Sequence, residues 1–219
     1  KKIAILASGT GGHIYPALSI ANEYIIRGYK ILWIGTPNGL EDKIVNDPHN
    51  ITMEKIDSQG VRGKSLFKKI ISLLYIFRSV AQSLAIFKKH KPCMVFGFGG
   101  YVSVSSSFAA FLLSIPVVVH EQNAIAGTAN KINYLFAKRV YETFPLSFNK
   151  NSKKIIHTGN PVRTSFNTLT KPENKYTDNK SLINILVMGG SQGSKFLNKT
   201  MPFAFSHFHE KNISIKHIT

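Results

Sequence analysis

Acidic residues are scarce in this chain: 11, against 28 lysines and arginines, for a formal net charge of +17 at pH 7. None lies between Asp57 and Glu121, while Arg62, Lys64, Lys68, Lys69, Arg78, Lys88, Lys89 and Lys91 all do. So concentrated an excess implies an anionic partner: nucleic acid, an acidic membrane surface or a phosphorylated substrate. Cysteine is nearly absent. With Cys93 alone, no intrachain disulfide or multi-cysteine zinc site can form, and a reducing compartment fits. The apolar stretch at residues 66–87 is broken by Lys68, Lys69 and Arg78 within the ~20 residues a membrane span needs, so it is not a span. Apolar side chains, by contrast, are plentiful. At 43% of the chain they suffice for a buried core and exclude disorder.

The first apolar run, Ile3-Ala4-Ile5-Leu6-Ala7, breaks at once into Ser8-Gly9-Thr10-Gly11-Gly12-His13. A helical pattern follows in Ala17, Leu18, Ala21, Tyr24 and Ile25. This is a strand, a tight glycine turn and a helix N-terminus. Glycines let a backbone approach a ligand closely, and the free N–H groups of a first helical turn attract anions such as a diphosphate. A plain βα turn also favours glycine, but the pattern recurs. Residues 183–188 run into Gly189-Gly190-Ser191-Gln192-Gly193, and Met94-Val95-Phe96 runs into Gly97-Phe98-Gly99-Gly100-Tyr101-Val102-Ser103. Strand–glycine–helix openings near each end imply two nucleotide-fold domains.

Between these openings, strands are expected at residues 30–35, 51–56, 117–119 and 139–141, with helical pieces at 38–45, 66–87 and 106–113. The alternation argues for an α/β fold with a parallel sheet covered on both faces. Residues 66–87 carry apolar side chains on more than the one stripe, roughly 100° wide, that such a helix needs. Flanked by lysines, Leu73, Ile76 and Phe77 with Lys68 and Lys69 read as contacts to an anionic bilayer; a helix buried between two layers is the alternative. Residues 164–181 are polar and read as a linker between a domain at 1–163 and the beginning of a second at 182–219. About 38 residues cannot bury a sheet alone, since stable domains run from roughly 50 residues upwards; a second domain continuing beyond this stretch is expected.

Five motifs, in order and spacing, resemble those of the MurG family of bacterial glycosyltransferases: Gly9-Thr10-Gly11-Gly12-His13, the run 97–103, His120-Glu121-Gln122-Asn123, Gly159-Asn160-Pro161-Val162-Arg163 and the run 189–193. The resemblance spans the chain. It implies a GT-B fold of two Rossmann-like domains and an inverting transfer of N-acetylglucosamine from its UDP donor. The acceptor would be the muramyl 4-hydroxyl of undecaprenyl-diphosphate-linked lipid I, giving lipid II, with no cofactor and no fixed metal. It further implies a peripheral enzyme at the cytoplasmic face of the bacterial inner membrane. With its donor-gripping domain only begun, the stretch 1–219 alone is expected to be nearly inactive.

By the same resemblance, His13 and Glu121 are rival candidates for the general base. An unperturbed imidazole titrates near pH ~6.5 and can take a proton at neutral pH; Glu121 ends a strand, where α/β sheets place ligands. Thr10, Gly11 and Gly12 are candidates for diphosphate contact, and Asn123, Arg163 and Ser191 for donor contact. His120, Gln122, Gly99 and Tyr101 fall to the cleft without a role of their own. Two departures stand out: Ser8 replaces a frequent glycine, and Val104-Ser105-Ser106 replaces a Gly-Pro-Gly-like run, which leaves the shape of the second loop open.

Three other readings bear on the same residues. A nicotinamide-dependent Rossmann oxidoreductase wants a carboxylate ending the second strand, but Gly35-Thr36-Pro37 has none before Glu41. A non-catalytic, membrane-docking half of a two-part glycosyltransferase remains compatible. A nucleic-acid binder would interleave its basic residues with stacking aromatics, and here they alternate mainly with aliphatics.

Overall fold

The computed structural model describes residues 1–58, 66–166, 168–175, 183–190, 193–207 and 212–218, with backbone only at 66–73, 164, 172 and 175. The chain divides into two compact units, Lys1–Thr164 and Ser165–Thr219.

The first unit is built on seven strands: β1 (Lys2–Leu6), β2 (Lys30–Gly35), β3 (Ile51–Lys55), β4 (Met94–Gly97), β5 (Val117–Glu121), β6 (Arg139–Glu142) and β7 (Ile155–His157). Every pairing is parallel, and the order is β3-β2-β1-β4-β5-β6-β7. The order reverses between β1 and β4. In open parallel sheets, ligands bind beyond the carboxyl ends of the strands at such a reversal. The glycine turns after β1 and β4 both lie there.

Alternation along each strand fills two core layers. Ala4 and Leu6, with Leu32, Ile34, Val117 and Val119, face helices α3 (Leu66–His90), α4 (Tyr101–Leu112) and α5 (Thr128–Phe136). Ile3, Ile5 and Ala7, with Ile31, Trp33 and Val118, face α1 (Gly11–Ile26) and α2 (Glu41–Ile44). A side-chain period of two in strands covered on both sides produces this division. Trp33 is fully buried, and its indole N–H donates to the Ala7 carbonyl at 3.0 Å, so its one polar atom is satisfied.

Three features differ from expectation. Helix α4 begins at Tyr101, not near 106, so Val104, Ser105 and Ser106 are helical and the loop before them is short. Serines lower intrinsic helix propensity, but these are satisfied by packing: Ser83 and Ser106 pair at 2.9 Å between α3 and α4, and Asn133 donates to Ser103 Oγ at 2.9 Å from α5. Helix α5 itself has no clear signal in the sequence. Its buried side chains are Asn130 and Asn133, so no apolar stripe announces it. Strand β7, three residues at the sheet edge, was too short to stand out.

Within the second unit, α6 (Pro172–Lys175), β8 (Ile183–Met188), α7 (Lys195–Phe205) and β9 (Ile213–Ile218) are described. The strands pair in parallel from Ile183↔Ile213 to Met188↔Ile218. Ser194 caps α7 by accepting from Leu197 N–H at 3.3 Å. Helix α7 has no buried residue, and in β8 only Val187 is buried.

Candidate active site

Two glycine turns meet at the sheet reversal. Gly99 and Gly100 take φ of +109° and +81°, a region that disfavours any side chain. Space excludes one too: a Cβ on Gly100 would lie 2.9 Å from the Ser8 carbonyl oxygen, and one on Gly99 would lie 3.0 Å from the His13 ring. The second turn is thus pressed against the first, with the buried Ser8 at the contact. Serine at position 8 is accommodated because the close neighbour is a glycine.

The first turn leads directly into α1. Thr10 is its N-cap, but the Thr10 hydroxyl makes no capping bond, while the Thr10 carbonyl accepts from His13 and Ile14 N–H at 3.0 and 3.2 Å. The N–H groups of Gly11 and Gly12 belong to the first turn of the helix and have no intrahelical acceptor. N–H groups without an intrahelical acceptor, the Thr10 hydroxyl and the positive end of a 16-residue helix together suit an anion, although Gly11 itself is buried. His13, Thr10, Gly99, Tyr101, Glu121 and Thr128 are among the residues that line one cleft of about 340 Å³ here.

Beyond β5, the chain alternates. His120 and Gln122 point one way and Glu121 and Asn123 the other. Gln122 Oε1 lies 3.0 Å from His13 Nδ1, and Gln122 Nε2 lies 3.1 Å from His120 Nδ1 and 3.0 Å from the His120 carbonyl. His120 Nε2 lies 3.1 Å from the Gly159 carbonyl. Burial pushes the His120 pKa down, against smaller opposing effects of the Gly159 bond and the Glu121 charge. The Nε2 of His13 has no partner among the described residues.

Glu121 is fully buried and accepts four hydrogen bonds. Its Oε1 takes the backbone and side-chain N–H of Asn123 at 2.9 and 2.8 Å, and its Oε2 takes Gly127 N–H and Asn130 Nδ2 at 3.0 Å each. A carboxylate has about four lone-pair sites, and all are used. The arrangement ties the 122–127 loop to the end of β5 and to α5. Asn123 is exposed, with its amide nitrogen turned back on Glu121 and its carbonyl oxygen directed elsewhere. The Arg163 guanidinium lies over the Tyr15 ring, 5.3 Å from its centroid, and is not part of the cleft lining around His13. Ser191 lies outside the described residues.

Of the residues assigned to membrane contact, Lys68, Lys69 and Leu73 fall where only the backbone is described. Phe77 is 64% exposed and Ile76 39%, while Val80, Ser83, Ile86 and Phe87 of the same helix are buried. Helix α3 is therefore a core helix on one side and carries exposed apolar residues among charged ones on the other. Exposed apolar residues missed in the sequence also occur on α4 (Phe111, Leu112) and α5 (Leu135). Two basic residues of the carboxylate-free stretch are paired: Arg78 with Asp57 at 2.9 Å and Lys89 with Glu54 at 2.9 Å. Among the described residues, no helix is long and apolar enough to cross a membrane, and no cluster of three or more metal-ligating side chains occurs.

A doubly wound parallel sheet with glycine turns at its reversal defines a Rossmann-like domain. Residues 3–142 match the glycosyltransferase family 28 N-terminal domain, and the chain belongs to that family. It is 42% identical over 204 residues to the UDP-N-acetylglucosamine–N-acetylmuramyl-(pentapeptide) pyrophosphoryl-undecaprenol N-acetylglucosamine transferase of Pseudomonas syringae, covering 93% of this chain and 56% of that protein. The namesake of Pectobacterium carotovorum is 40% identical over 202 residues, covering 92% and 54%. A crystal structure of MurG from Acinetobacter baumannii superposes with a TM-score of 0.82 at 34% identity, covering 99% of this chain and 60% of that one. The chain spans little more than half the length of the curated relatives it matches.

Proposed function

We propose that the protein to which this chain belongs transfers N-acetylglucosamine from UDP-N-acetylglucosamine to the muramyl 4-hydroxyl of undecaprenyl-diphosphate-linked acceptor, forming lipid II with inversion. The observation that carries the reading is the junction of the two glycine turns, with N–H groups that have no intrahelical acceptor beside an imidazole whose Nε2 has no partner among the described residues. In a single displacement the acceptor oxygen bonds to the anomeric carbon as the bond from that carbon to the UDP oxygen breaks. The hydroxyl proton passes to His13 Nε2, and negative charge develops on the leaving diphosphate. We assign the base to His13 and not to Glu121, whose lone pairs are already engaged. Thr10, Gly11 and Gly12 hold a diphosphate, and Asn123, Arg163 and Ser191 contact the donor; the planar fork of Arg163 suits phosphate. The test is transfer of labelled N-acetylglucosamine by the complete protein to a lipid-diphosphate acceptor analogue. A lipid-linked disaccharide with inverted anomeric configuration is expected. Loss of UDP from the donor with no sugar on the lipid would overturn the reading.

The protein is peripheral to an anionic membrane in this reading, at the cytoplasmic face of the bacterial inner membrane. Support comes from the exposed apolar residues Ile76 and Phe77 on α3. Burying Ile76 and Phe77 in the interface contributes about 1.5–3 kcal/mol each, and each unpaired basic residue near the surface about 1 kcal/mol. With Arg78 and Lys89 paired to carboxylates, the electrostatic share is smaller than the sequence suggests, and the apolar share should persist at high salt. In vesicle sedimentation, raising the salt from 0.1 M to 1 M shortens the Debye length from about 10 Å to about 3 Å and should remove only part of the binding. Ile76→Glu with Phe77→Glu should lower the partition coefficient by about tenfold or more at an unchanged melting temperature. Unchanged sedimentation of the folded double variant would refute the membrane reading.

A further inference from the structure

We propose that Gln122 and His120 are positioning residues that hold His13 in its Nδ1–H tautomer, leaving the lone pair on Nε2 where the acceptor's proton must go. The inference rests on His13 being the base. Its support is a chain of hydrogen bonds whose directions are set by backbone carbonyls at two points. The His120 carbonyl can only accept, so the Gln122 group 3.0 Å from it must be the amide NH2. That orientation directs Oε1 to His13, and an oxygen 3.0 Å from Nδ1 requires Nδ1 to carry the hydrogen. The reverse amide would set two oxygens against each other.

The far end agrees independently. The Gly159 carbonyl, 3.1 Å from His120 Nε2, also can only accept, so Nε2 of that ring is protonated. In a neutral imidazole Nδ1 then bears the lone pair, and it receives the second amide hydrogen of Gln122 at 3.1 Å. Every donor in the chain meets an acceptor. The ring of His120 also lies 5.8 Å from that of the fully buried Phe98, which limits its rotation. Burial keeps His120 neutral at pH 7, so its Nδ1 remains an acceptor. On the other side, the His13 ring abuts Gly99, where a Cβ would meet it at 3.0 Å. The ring is held from both sides, and its unoccupied nitrogen is left to the cleft.

The experiment is heteronuclear NMR of the complete protein labelled with 15N-histidine, at a pH where the rings are neutral, with His13→Gln identifying the His13 signals. His13 should show a protonated Nδ1 and an unprotonated Nε2, and His120 the opposite. Gln122→Met, which keeps the length but offers neither donor nor acceptor, should move His13 toward Nε2–H. The same variant should lower kcat by about tenfold to a hundredfold with KM changed by less than about twofold, because a misassigned tautomer costs catalysis and not binding. The wild-type spectrum needs no variant to fold: His13 found as Nε2–H overturns the proposal. So does a Gln122→Met protein that loses kcat while His13 stays Nδ1–H, since Gln122 would then act only structurally. If instead the tautomers are as stated but His13→Gln retains full kcat, the assignment of the base has failed and the hydrogen-bond chain stands.

Discussion

Replacing His13 with alanine in the complete protein should lower kcat by about 10² or more, with KM for the donor within about twofold. The ring has one nitrogen free and one engaged by Gln122, and among the described residues lining the cleft no other imidazole is present. The carboxylate in that lining, Glu121, already accepts from four donors, so it offers no vacant lone pair to a hydroxyl. Removing the ring therefore removes the proton acceptor without a nearby substitute. Because the displaced side chain lay against Gly99 and bonded only through Nδ1, its loss leaves room in the cleft. Added imidazole should restore part of the rate. Steady-state kinetics decides the matter: an unchanged kcat with a raised KM assigns His13 to binding.

Glu121→Ala should lower stability by about 3–5 kcal/mol, because it leaves hydrogen-bond donors without their acceptor. It strands four donors, two from the exposed Asn123 and one each from Gly127 and the buried Asn130. Each donor deprived of its acceptor in the interior costs about 1–3 kcal/mol, with partial relief where water enters at the exposed Asn123. For a domain of this size the melting temperature should fall by about 10 °C. Glu121→Gln is the sharper probe. It preserves shape but sets an NH2 group among donors, so the melting temperature should fall along with kcat. A Glu121→Gln protein that melts like the wild type and has lost a hundredfold or more in kcat would return Glu121 to candidacy as the base.

The polar segments were the hardest to read from sequence. Helix α5 carries Asn130 and Asn133 on its buried side, and their amide nitrogens donate to groups outside the helix: the His120 carbonyl and Glu121 for Asn130, and Ser103 for Asn133. Amides at the two most buried positions of a helix mask the apolar periodicity that would reveal it. The start of α4 was hidden for a related reason, since serines read as loop until Ser83 and Asn133 supply their partners. The pairing of Gln122 with His120 had a signal, because residues two apart on a strand end share a side. The link to His13, 109 positions away, had none.

The basic stretch divides along the same line. Its lack of carboxylates is a property of the sequence, but Arg78 and Lys89 find Asp57 and Glu54 only once α3 lies beside the strands and loops that carry them.

The sequence by itself determined the parallel α/β sheet, its glycine turns and the family. Those depend on local chemistry: apolar runs of strand length, glycines where the backbone must turn sharply, and helical spacing directly after. Only the tertiary structure decided which carboxylate is engaged and which imidazole nitrogen is free. Hydrogen-bond partners are set by distance in space, and the packing of β5 against α5 and of the two glycine turns against each other brings together groups that no sequence pattern connects.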